Sequence, residues 1–376
     1  MTRREFTAAL MAASASGAPS LPATPVAIAK SPSYEEDQVA LLHGMFEQIG
    51  GLAPIVRNKF VTVKVNLTGS PALKFQGKAL GATHYTHPKQ IGALAHLLHK
   101  AGARRIRYVE SAWATAGPLS EYMLDSGWNV RQLQSAAPNV EFVNTNGIGA
   151  YTQYARFKVP GSGLIFPSYT LNKTYDETDV LVSMAKLKNH ATCGVTLAMK
   201  NIFGITPASI YGDDAGEHEP NESPTKGRAL CCHAGKRHPA SIAEREIDLL
   251  SPRESFTRMP RITAELNATR PVGISIIDGI ETVTGGEGPW IKGLSYVKPG
   301  VMILGTNAVC TDAVATAVMG YNPRAKRGEG AFSRCDNTFL HAEALGIGSA
   351  DLSRIEVRGV KVEDAIFRFP PEARGV

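Results

Sequence analysis

Val180-Leu181-Val182-Ser183-Met184-Ala185-Lys186-Leu187-Lys188-Asn189-His190-Ala191-Thr192-Cys193-Gly194-Val195-Thr196-Leu197-Ala198-Met199-Lys200-Asn201-Ile202-Phe203-Gly204 begins as an apolar run and continues with helical spacing. Val180 to Met184 reads as a buried strand, because apolar side chains follow one another without polar alternation. Thr192 to Phe203 reads as a helix stopped by Gly204 and Pro207, with Thr192 as its expected N-cap. Between them Lys186, Lys188 and His190 alternate on an extended segment, so their side chains are expected to project the same way. Ligands of open α/β sheets bind beyond the carboxyl ends of strands, and free N–H groups at a helix start favour an anion. Lys200 and Asn201 follow two turns further along. Three lysines and a histidine so close repel one another unless an anion, carboxylates or a metal-bound ligand compensates. A basic, solvated face is the other reading of the same residues.

Working outward, the chain alternates strands and helices. Residues 59–65, 105–109, 140–143, 272–278, 301–305 and 355–357 read as strands; residues 88–101, 118–126, 254–267, 307–319 and 337–345 read as helices. His87-Pro88 marks a helix start, with proline in the first turn. Gly147 to Tyr175 reads as a hairpin or excursion, and 208–240 as a long loop or flap. This order predicts an α/β fold with a mostly parallel, doubly wound sheet covered on both faces. The core is expected over 58–360, within one domain running from 30 to 376.

Composition narrows the field. The 376 residues are 43% apolar and 20% charged, with net charge +6, which excludes a mostly disordered chain and a polytopic membrane protein. The small basic excess hints at anionic ligands without arguing for nucleic acid. Five cysteines are too few for a disulfide framework. No G-x-G-x-x-G, Walker A, H-E-x-x-H, G-x-S-x-G or C-x-x-C occurs, so no self-contained iron–sulfur cluster is expected. His84-x-x-His87 and His96-x-x-His99 have metal-compatible spacing, the second on a half-exposed helix. Vicinal Cys231-Cys232 with His233 could bind a soft metal, but the reading taken is a flap pair of no assigned role.

The N-terminus is similar to a twin-arginine export signal. Arg3-Arg4-x-Phe6 precedes a weakly apolar, Ala-rich stretch, and Ala27-Ile28-Ala29 offers a cleavage site before Lys30. The stretch is too short and polar to span a bilayer. Residues 1–29 are therefore expected to lie outside the fold, the export machinery to be a partner, and the mature chain to be periplasmic. At least one of its five thiols would then stay free or pair outside the chain.

The block from Lys186 to Gly204 resembles the signature of the domain of unknown function 362 family. Val63-Lys64-Val65-Asn66-Leu67, Ile277-Asp278-Gly279-Ile280 with Glu287-Gly288-Pro289, Thr311-Asp312-Ala313-Val314-Ala315 and the 346–359 stretch resemble further blocks. One departure is Thr86-His87-Pro88, where the family often has Thr-Asp-Pro. Some relatives carry ferredoxin-like cysteine clusters, which this chain lacks. The resemblance implies a fold and a pocket, not a reaction.

The acidic half of the site rests on Asp278 at a strand end and Asp312 near a helix start, with Glu281 and Glu287 beside Gly285-Gly286. Carboxylates there can hold a divalent metal or act as acid/base groups; turn and helix capping is the structural alternative. The expected site is one mixed-charge cleft. Lys186, Lys200 and His190 are its catalytic candidates, and Lys64, Asn66, Lys188, Thr192, Asn201 and Glu287 its ligand-binding candidates. Asp278 and Asp312 are its metal candidates. The function expected is an enzyme acting on a small carboxylate- or phosphate-bearing molecule. The alternative is a non-catalytic periplasmic protein that binds a ligand or cofactor for an iron–sulfur or redox partner.

Overall fold

The computed structural model describes residues 20–147, 153–247 and 249–370. Arg3, Arg4 and Phe6 lie outside the described residues. The strands of the main sheet are β1 (Val26–Lys30), β2 (Phe60–Lys64), β3 (Arg105–Glu110), β4 (Val140–Asn144), β7 (Val180–Lys186), β10 (Ile274–Gly279), β13 (Val301–Gly305) and β14 (Val357–Gly359). Between β4 and β7 the hairpin β5 (Tyr154–Lys158) and β6 (Ser168–Asn172) stands apart, as expected of the Gly/Pro-rich excursion. Two further small pairs are β8 (Asn189–His190) with β9 (Gly194–Val195), and β11 (Thr282–Thr284) with β12 (Ser295–Val297).

The eight main strands run in the order β14-β1-β13-β10-β7-β2-β3-β4. Only β13 is antiparallel to its neighbours, so the expected mostly parallel α/β sheet is what forms. Every residue of β2 and β7 is buried, which is why both read as continuous apolar runs. Apolar clusters cover both faces of the sheet. One holds Leu94, Leu98 and Tyr108; the other Met259, Ile262, Val314 and Phe339.

Chain direction reverses at one place. From β2 the chain steps outward through β3 to β4; with β7 it returns to the other side of β2 and proceeds through β10 to β13. The β2–β7 seam is therefore the switch point, where helices leave on opposite faces and open a crevice beyond the strand ends.

Local chemistry explains the helix ends. In the Pro88–Lys100 helix the His87 ring accepts from the Lys89 amide at 3.2 Å, and proline occupies the first turn. Asn307 caps the Ala308–Val318 helix by accepting from Val309 and Cys310. Pro260 cannot donate within the Ser255–Thr269 helix, and the freed Phe256 carbonyl takes the Asp336 amide at 2.9 Å.

Three expectations are corrected. Residues 1–29 do not all lie outside the fold: Val26–Lys30 is an inner strand between β13 and β14, with Val26, Ala27 and Ile28 fully buried. Pro22 accepts from the Ser349 amide and Leu21 from Arg354, so packing begins still earlier. An Ala27-Ile28-Ala29 cut would remove most of an interior strand. Second, Thr192–Phe203 is not one helix, since β8 and β9 come first and the helix is Leu197–Asn201. Third, 208–240 is no loose flap. It contains the short Ala208–Tyr211 helix and a turn over Ala229–His233 whose Cys231 and Cys232 are fully buried. All five cysteines are free thiols.

A chain that starts at Lys30 is expected to aggregate or melt well below the full chain, because β14 then loses its neighbour. A thermal melt coinciding with that of the full chain would show that β1 is dispensable.

Candidate functional site

Two lysines end the strands that flank the switch point. Lys64, last in β2, is 1% exposed; its ammonium donates to the Val65 carbonyl at 2.6 Å and Asn201 Oδ1 at 3.2 Å, and pairs with Glu110 Oε1 at 2.7 Å. Glu110 comes from the end of β3, and its other oxygen takes the Leu67 amide at 2.8 Å. Burial pulls the Lys64 pKa down and Glu110 pushes it back. Gly204 closes over this pair: a Cβ there would stand 2.7 Å from Lys64 Nζ and 2.8 Å from Glu110 Oε1.

Lys186, last in β7, turns to the other side of the strand. Its ammonium reaches Asp278 Oδ2 at 2.9 Å, the Tyr34 hydroxyl at 2.6 Å and the Glu281 carbonyl at 2.7 Å. The Tyr34 hydroxyl donates to Asp278 in turn, and its ring stacks on His87 with centroids 3.6 Å apart. Strand register explains the pair, since Asp278 and Lys186 are direct partners across β10 and β7.

Lys188 and His190 face the crevice, a cavity of about 410 Å³. Seven of the expected residues line it: Lys64, Asn66, Lys188, His190, Lys200, Asn201 and Glu287. Lys188 donates to the His84 and Glu287 carbonyls at 2.9 and 2.8 Å, and burial lowers its pKa to about 7. Lys200 lies against the Phe203 ring at 4.4 Å, and no acceptor bonds its ammonium among the described residues. Arg228 donates to Ser111 Oγ and the Thr206 carbonyl, with no carboxylate partner among the described residues. Lys188, Lys200 and Arg228 thus face one cavity without an ion pair, and Glu110 is already committed to Lys64.

His190 is held neutral. Its Nδ1 accepts from the Thr192 amide at 3.1 Å, which places the ring proton on Nε2. Burial first, then Lys200 and Lys188, hold its pKa well below the usual histidine value. His233 also lines the cavity; burial with Lys200 and His190 lowers it to about 3. Glu287 ties the turn after His190 to Trp290: one oxygen takes the Ala191 amide at 2.9 Å and the other the Trp290 Nε1–H at 3.2 Å.

Four expected residues are not part of this wall. Lys186 and Asp278 do meet, but in their own buried network beside Tyr34, so the expected same-side projection with Lys188 and His190 is corrected. Thr192 caps no helix; its amide and hydroxyl serve the His190 ring. Asp312 is the fifth residue of its helix and accepts from the Ala198 and Met199 amides at 2.9 and 2.7 Å, thereby capping the Leu197–Asn201 helix from a distance. Burial pushes its pKa up to about 8, against the pull of those two amides. The expected metal pair therefore does not assemble: Asp278 answers to Lys186 and Tyr34, Asp312 to two amides. Among the described residues no three His, Cys, Asp or Glu side chains are gathered as metal ligands. His84 is buried and His87 accepts the Lys89 amide at its helix start, and no third His, Cys, Asp or Glu joins them as a metal-ligating group among the described residues.

The sequence reading missed Glu110, Arg228, His233, Trp113 and Trp290, which all line the cavity. Glu110 carried a signal: it ends a strand and follows Tyr108-Val109, as Lys64 follows Val63. Arg228 and His233 gave none, because the polar segment holding them has no periodicity.

Glu110→Ala is expected to destabilise the fold by about 3–5 kcal/mol in urea unfolding, since it strands the buried Lys64 charge. Lys64→Met added to it should restore part of the loss. A cost below about 1 kcal/mol would show that the pair does not hold this edge.

Comparison with known proteins adds relatives. A thylakoid-associated protein of Synechocystis is 26% identical over 187 residues, covering 49% of this chain and 51% of the relative. The chain thus spans about half the length of the curated relative it matches. A Thermotoga maritima crystal structure covers 67% of this chain and 51% of its own, at TM-score 0.36 and 14% identity. The lactate racemase apoprotein of Thermoanaerobacterium thermosaccharolyticum covers 79% and 57%, at TM-score 0.37 and 12% identity. The pattern of the domain of unknown function family DUF362 matches residues 61–317, and the chain belongs to that family.

Proposed function

We propose that this protein is an enzyme acting on a small carboxylate- or phosphate-bearing substrate, with the anion held by Lys188, Lys200 and Arg228. The observation that carries this reading is a Lys200 ammonium without an acceptor among the described residues, on a cavity that also presents two other cations without an ion-pair contact among them. A solvated basic face has no need of such enclosure; removing cations from water costs free energy that a bound anion offsets.

His190 is the proton-transfer group in this proposal. Its Nε2–H is fixed by the Thr192 amide, and burial, with the neighbouring lysines adding to it, keeps the ring neutral. A bound anion cancels part of that lysine field, which raises the ring's proton affinity while substrate is present. With Nδ1 held by the Thr192 amide, the ring meets a bound substrate through its Nε2–H, as a donor. Lys64, Asn201 and Glu287 act as scaffolding, since their polar atoms are taken up by neighbours.

Export belongs to the same proposal. Arg3-Arg4-x-Phe6 supports a twin-arginine route, and the packing of Leu21 and Pro22 argues for processing upstream of Leu21. N-terminal sequencing of the exported form reads this directly, and a mature chain starting at Lys30 would overturn it.

Sulfate is a suitable probe because its charge is constant across neutral pH. Calorimetric titration is expected to show one site, weakened at least about tenfold by Lys200→Met. The sign of the pH effect follows from Lys188. Its folded-state pKa lies near 7, so the ammonium that attracts sulfate is lost as pH rises through that value. Affinity should fall by up to about tenfold per pH unit above 7, and Lys188→Met should flatten the profile. Equal sulfate binding by the wild type and Lys200→Met would sink the anion site.

Turnover separates enzyme from carrier. In D2O, an NMR screen of small carboxylates and phosphates is expected to find one compound converted or proton-exchanged by the wild type and not by His190→Gln. A compound bound stoichiometrically and returned intact by both would make the protein a carrier.

A further inference from the structure

The chain has three tryptophans, and the fold treats them differently. Trp128 is a core residue, 7% exposed. Trp113 and Trp290 both line the cavity and stay 45% and 41% exposed, with Leu73 beside them at 42%. Large aromatic surface left in water on one concave feature marks a place where something apolar binds.

Trp290 is held in place before any ligand arrives, and Trp113 lies close to the backbone across the cavity. Trp290 lies over Gly69 and Gly288, where a Cβ on either would overlap its ring, and Gly69 has a left-handed φ of +82°. Its Nε1–H is tied to Glu287, whose other oxygen holds the Ala191 amide next to His190. Trp113 passes over Gly227, where a Cβ would stand 3.2 Å from the indole nitrogen. Gly227 also precedes Arg228, so the segment that carries this cation also lies under the Trp113 indole. The cavity thus has a cationic part formed by Lys188, Lys200 and Arg228 and an aromatic part formed by the indoles of Trp113 and Trp290.

Resting on the anion-site reading above, we propose that the ligand is an amphipathic organic acid: a planar aromatic body bearing a carboxylate or phosphate head. The head meets the lysines and Arg228, and the ring lies against Trp113 and Trp290. A bare inorganic anion leaves both indoles wet; an aromatic alcohol leaves three cations unpaired. A cavity of about 410 Å³ falls within the range that accepts such a molecule.

Tryptophan fluorescence and calorimetry with three probes test this: inorganic phosphate, 1-naphthyl phosphate and 1-naphthol. The expected result is quenching by 1-naphthyl phosphate, with affinity at least about tenfold above either other probe. Trp113→Ala and Trp290→Ala should each reduce the ratio of naphthyl phosphate to phosphate affinity measured on the same variant. Trp290→Phe, which keeps an aromatic face, should retain most of it. Equal affinities for phosphate and naphthyl phosphate, or a ratio that survives both alanine variants, would overturn the proposal while the anion site stands. Naphthol binding as tightly as naphthyl phosphate would also overturn it, making the rim a plain apolar surface. Failure of both phosphates to bind would remove the anion site itself.

Discussion

Buried lysine charge at the ends of two adjacent strands is the constraint around which this fold is arranged. β2 and β7 are apolar along their length and fully enclosed, yet each ends in lysine. A buried ammonium needs a carboxylate or a full set of acceptors, since its desolvation costs several kcal/mol. The two strands answer differently. Lys64 takes Glu110 from β3 on one side, while Lys186 takes Asp278 from β10 on the other. The pairs bracket the switch point and tie its two neighbouring strands to the seam. The next two chemical groups of the chain, Lys188 and His190, then face the crevice with Glu287 beside them, its carboxylate 3.9 Å from His190 Nδ1 and bonded to the Ala191 amide.

That division separates structure from chemistry. The Lys186–Tyr34–Asp278 network is closed: each polar atom has a partner inside the protein, and it joins the segment after β1 to the sheet. The cavity is open in the same sense, because Lys200 has no acceptor and Lys188 and Arg228 have no ion-pair contact among the described residues, although Glu287 lines the same wall. Stability is served by the first arrangement and binding by the second. The Asp312 carboxylate belongs with the first. It fastens the amides of Ala198 and Met199 and so sets where Lys200 and Asn201 stand, without reaching the cavity.

Much of this was legible in the amino-acid order. Strands such as Phe60–Lys64 and Val301–Gly305 announce themselves because both faces are buried and the residues are β-branched. The Lys-Leu-Lys-Asn-His block follows a buried strand, and two of its side chains, Lys188 and His190, line the crevice. Lys186 was misplaced because it still belongs to the strand, whose pairing with Asp278 fixes its direction. Asp312 could not be read, since its role depends on two helices distant in sequence meeting end to side. The N-terminal strand was hidden for another reason: Ala27-Ile28-Ala29 satisfies a cleavage pattern and a buried strand equally well, and only pairing with β13 and β14 decides between them. Trp113 and Trp290 were illegible because nothing in a single sequence says that two glycine-flanked indoles share a rim.

The most direct measurement of the central claim is anomalous diffraction from crystals of the full chain grown in selenate. Selenium scatters strongly, and selenate carries the charge and shape of an anionic head group. The account predicts an anomalous peak inside the cavity, within hydrogen-bonding distance of Lys200 Nζ and flanked by Lys188 and Arg228. A cavity with no such peak, in crystals where selenate occupies only surface positions, would contradict it.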